Sequence, residues 1–229
     1  MKPTTSASVQ QKVLSENDRL AAHIRESFKS RALLALNLVS SPGSGKTSLL
    51  ERTLREIGDS LRIGLIAGDV QTDNDARRLR SAGGQTVQPI ITGGACHLDA
   101  RMVTEALSSM SLDTLDLIVI ENVGNLVCPS SYDLGEDMKV VLMSVPEGDD
   151  KPLKYPSMFR RSSILVINKI DLLGTSDFQL ERARSNALQI NGELTIFELS
   201  CRTGEGLDGW YRWLREAVRH KRETAAGEH

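Results

Sequence analysis

Residues 33–40 run almost without charge into Ser40-Ser41-Pro42-Gly43-Ser44-Gly45-Lys46-Thr47, and a helical apolar pattern starts at Lys46. A buried strand that breaks at a glycine-rich turn and restarts as a helix is the form a phosphate cradle takes. Gly43 and Gly45 let backbone N–H groups turn inward around anionic oxygens, and the helix adds its positive amino end. The letters match G-x-x-x-x-G-K-[ST] with one departure: Ser40 stands where the first Gly is expected. Gly43, Ser44, Gly45, Lys46, Thr47 and Ser48 are therefore the candidate phosphate-binding set. In such a loop the Lys46 ammonium reaches the β- and γ-phosphates and the Thr47 hydroxyl holds Mg²⁺.

The pattern around this loop repeats. Apolar runs at Leu33–Ser40, Arg62–Ala67, Thr86–Ile91, Leu115–Glu121, Val140–Val145, Ile164–Asn168 and Leu194–Leu199 alternate with helical stretches at Lys46–Ile57, Asp73–Ser81, Leu98–Leu107, Phe178–Ile190 and Leu207–Lys221. The runs do not alternate polar with apolar, so the strands are buried on both faces. That predicts an α/β fold: a P-loop NTPase three-layer sandwich with a mostly parallel central sheet. Val9, Val13, Leu20, Ile24 and Phe28 predict an amphipathic N-terminal helix over roughly residues 8–30. The expected organisation is a polar tail and helix over residues 1–30, the P-loop domain over 31–222 and a polar C-terminal tail over 223–229.

Composition narrows the function. Lys plus Arg is 28 and Asp plus Glu is 30, a net charge of −2, and aromatic residues are 4%. Neither a basic surface nor a stacking platform for nucleic acid is expected. The start of the chain has no apolar signal-peptide core and no run of 18 apolar residues occurs, so the expectation is a cytoplasmic protein without membrane insertion. The 3 cysteines do not describe a disulfide scaffold.

Ligands of parallel sheets gather at the carboxyl ends of the strands. Asn168-Lys169-Ile170-Asp171 follows one such end and resembles the N-K-x-D base-recognition motif. Asp171 can accept from the N1–H and the exocyclic amino group of guanine, and adenine offers neither donor there. Leu199-Ser200-Cys201-Arg202-Thr203-Gly204 closes another strand and is a looser match to the loop that contacts guanine O6, through Ser200 and Cys201. Asp69 and Glu121 end two further strands and are the candidate Mg²⁺ carboxylates, together with Thr47. Asp73 or Asp75 is the candidate for orienting the attacking water, with Asp73 placed beside Lys46, Asp69 and Glu121 in the catalytic set. One of the two is expected to cap a helix instead.

A second constellation sits on the same edge. Thr92-Gly93-Gly94-Ala95-Cys96-His97 and Asn122-Val123-Gly124-Asn125-Leu126-Val127-Cys128 bring two thiols and an imidazole, ligands that suit Zn²⁺ or Ni²⁺. Three ligands are one short of a closed tetrahedral site, so water or a second chain would complete it. Spacing alone fits equally a buried cysteine and a capping histidine. Cys201, His23, His220 and His229 show no partner pattern.

The stretches VSSPGSGKTSLL, GDVQTDNDARR, TGGACHLDA, ENVGNLVCP, VLMSVPEGDDKPLKYP and VINKIDLL, over about residues 33–210, resemble the hydrogenase nickel-incorporation GTPase family, HypB. The resemblance implies a GTPase of the signal-recognition-particle and partition-ATPase (SIMIBI) class. It implies hydrolysis of GTP to GDP and phosphate, coupled to nickel delivery to hydrogenase. The implied partners are the accessory metallochaperone HypA and the hydrogenase large-subunit maturation machinery. It also implies a GTP-favoured homodimer with Cys96, His97 and Cys128 at or near its interface, and Lys151 or Lys154 as a residue acting across that dimer. Some members carry an N-terminal Cys motif or a His-rich tract. The first 30 residues here hold no Cys and one His, so a version reduced to the GTPase-linked metal site is expected. Slow turnover is expected, because no catalytic Gln or Arg finger is evident. The alternatives are a urease-type accessory GTPase (UreG), with the same chemistry and a different client, and a metal-sequestering or sensing module with a regulatory nucleotide site. The Cys-Pro-His metal site of the urease type is absent here.

Overall fold

Strands β1 (Leu34–Ser40), β4 (Leu117–Glu121) and β6 (Ile164–Asn168) are buried at every position in the computed structural model, which describes residues 5–227, with side chains from residue 11 onward. Continuous burial is possible because helices cover both faces of one seven-stranded parallel sheet. Its order is β3-β2-β4-β1-β5-β6-β7, completed by β2 (Ile63–Asp69), β3 (Thr86–Ile91), β5 (Met138–Ser144) and β7 (Thr195–Glu198). The expected three-layer sandwich and N-terminal helix are present.

Helix α1 is Thr5–Lys29, α2 Lys46–Ile57, α3 Asn74–Ser81, α4 Ala100–Leu107, α5 Lys151–Lys154, α6 Pro156–Arg160, α7 Leu180–Ile190 and α8 Leu207–Gly227. Leu36, Leu38, Val119 and Leu142 point to the face covered by α2, α3 and α8, where Leu49, Leu79 and Trp210 meet them. Ala35, Ile118 and Ile120 point the other way and meet Ile24 and Phe28 of α1 and Val103 of α4. Val39, Val141 and Ile167 continue that face under Phe159 and Ala183. Each fully buried Leu, Ile or Phe contributes roughly 1.5–3 kcal/mol, so the sheet is held from both sides.

Several boundaries move, each for a local reason. α4 starts at Ala100, not Leu98, because the Asp99 carboxylate caps it by accepting from Met102 N at 2.8 Å. β2 extends to Asp69, since Gly68 and Asp69 still pair with Ile90 and Ile91. β5 begins at Met138 because Lys139, a charge that breaks the apolar pattern, is buried against Glu136. α8 does not stop at Lys221: no breaker precedes Gly227, so residues 223–227 of the expected tail are helical. The stripe of α1 is also rotated. Val13 is 51% exposed, while Asn17, Ala21, Ile24 and Phe28 face inward. Residues 1–4 of the N-terminal tail, the side chain of Val9 and His229 lie outside the described residues.

At the amino ends of the strands, Asp116 holds both Arg62, at 2.5 Å, and Arg222 of α8, and Lys221 holds Asp137 at 2.5 Å. These pairs dock the end of α8 under the sheet, away from the carboxyl-end loops.

Candidate nucleotide and metal site

The loop between β1 and α2 wraps a cavity of about 410 Å³ whose walls include Gly43, Lys46, Thr47, Asp69, Asp75, Arg78 and Glu121. Gly43 and Gly45 take φ of +75° and +104°, the left-handed conformation that glycine adopts freely. Ser40 occupies the first-glycine position without closing the loop: its hydroxyl donates to Ser41 O at 2.6 Å and accepts from Lys46 Nζ at 2.9 Å. Burial pulls the Lys46 ammonium below the usual lysine range, against the attraction of Glu121, Asp75, Glu147 and Asp69.

Thr47 and Glu121 meet under the cavity. The Thr47 hydroxyl donates to Glu121 Oε1 at 2.6 Å, and Glu121 Oε2 is buried with no hydrogen-bond partner. Burial pushes the Glu121 carboxyl up to about 7, with Lys46 and the Thr47 hydroxyl pulling against it. A buried carboxylate oxygen without a donor, beside a hydroxyl and at the foot of a phosphate loop, fits a Mg²⁺ ion or its water. Asp69 lines the same cavity and accepts from Gln71 N at 2.9 Å.

The two water-orienting candidates separate. Asp75 faces the cavity, and Asp73 pairs outward with Arg77 at 3.0 Å. Asp73, assigned to the catalytic set from sequence, is therefore outside the cavity wall. The turn into α3 points its first acid away and brings the second, two residues on, inward. Asp73 occupies the position before α3, yet its side chain makes no capping bond.

Asn168 is the joint of the base side. Its Nδ2 donates to Ser44 O at 2.9 Å, and its Oδ1 accepts from Cys201 N at 3.1 Å and Lys169 N at 2.7 Å. Lys169 takes a left-handed φ of +64° and lays its Nζ on Gly43 O at 2.7 Å. Asp171 accepts from the Ser200 hydroxyl at 2.5 Å and pairs with exposed Arg202 at 3.3 Å; the Ser200 bond, chiefly, holds its carboxyl below the ordinary range. The 199–204 loop turns its N–H groups inward. Ser200 N goes to Glu205 O, Cys201 N to Asn168, and Arg202 N and Thr203 N to the Ser200 hydroxyl. The match to the base loop concerns the backbone there; the Cys201 thiol itself is buried, which pushes it up to about 12.

Sequence reasoning missed Glu147. Its Oε1 accepts from the Ser44 hydroxyl at 2.6 Å and Ser144 N at 2.8 Å, and its Oε2 lies 3.0 Å from Lys151 Nζ. Burial raises this carboxyl, but the bonds from Ser44, Lys151 and Ser144 win and hold it low. Lys151 is thus engaged with its own chain, and Lys154 pairs with Asp150 at 2.8 Å. The signal was present as Ser144-x-x-Glu147, a capping box.

Cys96, His97 and Cys128 do come together, with one ligand atom from each within 4.8 Å of the others. The two Sγ atoms are 3.1 Å apart and Cys96 Sγ is 3.7 Å from His97 Nδ1. The His97 ring packs on Tyr132 with centroids 4.0 Å apart. Asn125 donates to Cys96 O at 3.2 Å, tying one ligand loop to the other. Two thiols and an imidazole at this spacing fit one tetrahedral ion with a fourth position open. Among the described residues no helix is long and apolar enough to cross a membrane.

The nucleotide-binding domain described as CobW/HypB/UreG matches residues 34–198. The hydrogenase maturation factor HypB of Rhizobium leguminosarum bv. viciae is 49% identical over 218 residues, covering 93% of this chain and 73% of that one. The crystal structure of HypB from Helicobacter pylori in complex with nickel superposes with a TM-score of 0.84 at 41% identity, covering 90% and 96% of the two chains. The signal recognition particle receptor FtsY of Elizabethkingia anophelis, in complex with GDP, shares the fold at 12% identity and a TM-score of 0.52, covering 84% and 71%. The chain belongs to the CobW/HypB/UreG nucleotide-binding family and, within it, to the HypB hydrogenase maturation factors.

Proposed function

We propose that the protein is a GTP-hydrolysing metallochaperone whose nucleotide state governs how tightly Cys96, His97 and Cys128 hold Ni²⁺ or Zn²⁺ as cargo. One observation carries the reading. Glu121 bonds Thr47 of the phosphate loop, and its neighbour Asn122 accepts from Leu98 N at 3.1 Å, one residue past His97. A single step along the chain therefore touches both sites. Cys128 follows seven residues later (128 − 121).

Lys46 leaves Ser40 for the β- and γ-phosphates, and the N–H groups of the Gly43–Thr47 loop hold their oxygens. Thr47 and Glu121 would hold Mg²⁺, with Asp69 lining the same cavity, and the ion would supply positive charge beside the phosphates. Asp75 orients the attacking water. Asp171, steadied by Ser200, reads the guanine edge, and Asn168 keeps that loop locked to the phosphate loop. Ordering of the 69–75 and 121–124 loops by the γ-phosphate then shifts the outgoing segment that carries Cys128. The partners in this reading are a second copy of the chain, favoured by GTP and supplying the missing metal ligand, the accessory protein HypA and the hydrogenase maturation machinery, in the cytoplasm.

The test is titration of Ni²⁺ and Zn²⁺ into the GDP-bound protein and into protein holding a non-hydrolysable GTP analogue, while following mass in solution. The expected outcome is a difference in metal affinity together with dimer formation in the GTP-like state. Equal affinities in the two states would overturn the coupling, because a link between two sites must show in both binding equilibria.

A further inference from the structure

A row of polar side chains crosses the apolar face of the sheet between the two halves of the metal cluster. Asn37, in the middle of β1, has the apolar residues Ala35 and Val39 on the same face, and it is fully buried. Its Oδ1 accepts from Asn122 Nδ2 at 3.2 Å, and its Nδ2 donates to Glu136 Oε1 at 3.0 Å. Glu136 pairs with Lys139 at 3.2 Å, with both side chains under a tenth exposed. Lys139 Nζ then donates to Pro129 O at 3.1 Å and Tyr132 O at 3.2 Å.

The ends of this row matter most. Asn122 fixes Leu98, next to His97. Lys139 fixes Pro129, next to Cys128, and Tyr132, whose ring lies on His97. Of the row only Asn122 reaches the phosphate cavity, whose walls hold neither Lys139 nor Glu136. A buried ion pair is a poor way to gain stability, since apolar residues of the same size serve as well or better. What such a pair supplies is a fixed position, here of two backbone carbonyls beside metal-binding loops.

We propose that the Asn37–Glu136–Lys139 row sets the separation of the Cys96/His97 loop from the Cys128 loop, making Lys139 a positioning residue for the bound metal. The inference rests on the metal reading of the cluster. Removing Lys139 frees Pro129 and Tyr132 together, so the Cys128 thiol and the ring over His97 lose their common anchor. Groups that orient metal ligands typically change affinity by about 10–100-fold when lost.

The experiment uses Co²⁺ as the probe, because its thiolate charge-transfer absorption reports how the sulfurs are arranged. Wild type, Lys139→Met, Lys139→Arg and the Cys96→Ala/Cys128→Ala double variant are titrated with Co²⁺, and GTP affinity is measured alongside. Lys139→Met is expected to bind GTP within about twofold of wild type, to hold Co²⁺ at least about tenfold more weakly, and to show an altered absorption. Lys139→Arg, which keeps the charge and the donors to both carbonyls, is expected to restore both signals. Where Lys139→Met loses GTP binding, Lys139→Gln replaces it. A folded Met or Gln variant with wild-type Co²⁺ affinity and absorption would overturn the proposal. Loss of GTP binding in all three Lys139 variants also overturns it, because the row then specifies the fold and not the cluster. If wild type gives no thiolate absorption beyond that of the double-cysteine variant, the metal reading itself fails.

Discussion

Gly45 and Gly94 both hold a left-handed backbone, at φ +104° and +127°, but their surroundings differ. A Cβ on Gly45 would lie 2.3 Å from Asn168 Nδ2, whereas one on Gly94, or on Gly93, would meet nothing within 4 Å. The phosphate loop is thus built by close approach of three segments, with Asn168 and Glu147 locking it from either side. The cysteine loop is built by backbone conformation and a few bonds at its base, with Cys96 exposed. One region is preorganised for a ligand of fixed shape. The other leaves Cys96 exposed, with His97 and Cys128 half-buried beside it.

The contrast is most exposed to failure at Lys46. Lys46→Ala should lower GTP turnover on the order of 10³-fold, the scale of losing a preorganised charge from a transition state, while Zn²⁺ uptake without nucleotide stays within about twofold. Loss of Zn²⁺ uptake as well, measured by equilibrium dialysis, would mean that the two regions are a single structure.

Glu121 gives the next effect, on stability. Its folded-state value near 7 lies above the ordinary 4.5, so between those values the folded protein holds more protons than the unfolded chain. This contribution is full at low pH and fades as pH rises toward 7, by up to about 3 kcal/mol for a shift of this size. Glu121→Gln in the nucleotide-free protein should therefore gain stability over wild type at pH 8 and gain little at pH 5. A constant difference across that range in urea unfolding would show that Glu121 ionises freely.

Cys128→Ala reverses the first comparison. Zn²⁺ affinity should fall about 100-fold or more, beyond what loss of an orienting group costs, with GTP affinity unchanged. Matched isothermal titrations check both arms. The smallest effect belongs to Arg202, the exposed partner of Asp171. Arg202→Ala should tighten GDP binding within about threefold, the scale of an exposed ion pair. A large loss would make Arg202 a contact to the base.

What the sequence made legible was whatever is local in the chain. The phosphate loop, Asn168–Asp171 and Glu121 each declare themselves within eight residues, because strand, turn and ligand group are contiguous. The strands were readable for the same reason: continuous burial leaves continuous apolar runs. Pairings across the sheet were not readable. Nothing near Asn37 indicates Glu136, and Lys139 reads as a reason to start β5 late. Which of Asp73 and Asp75 reaches the cavity depends on where the chain turns into α3. Only assembly fixes that phase.

Asp116 and Asp137 dock α8 at the amino ends of the strands, while every loop discussed above leaves the carboxyl ends. Seven residues of β1 separate the two edges by roughly 23 Å. The end of α8 is accordingly a place to tether the protein to a surface or to append a reporter. An attachment there leaves the nucleotide cavity and the cysteine loops open to solution.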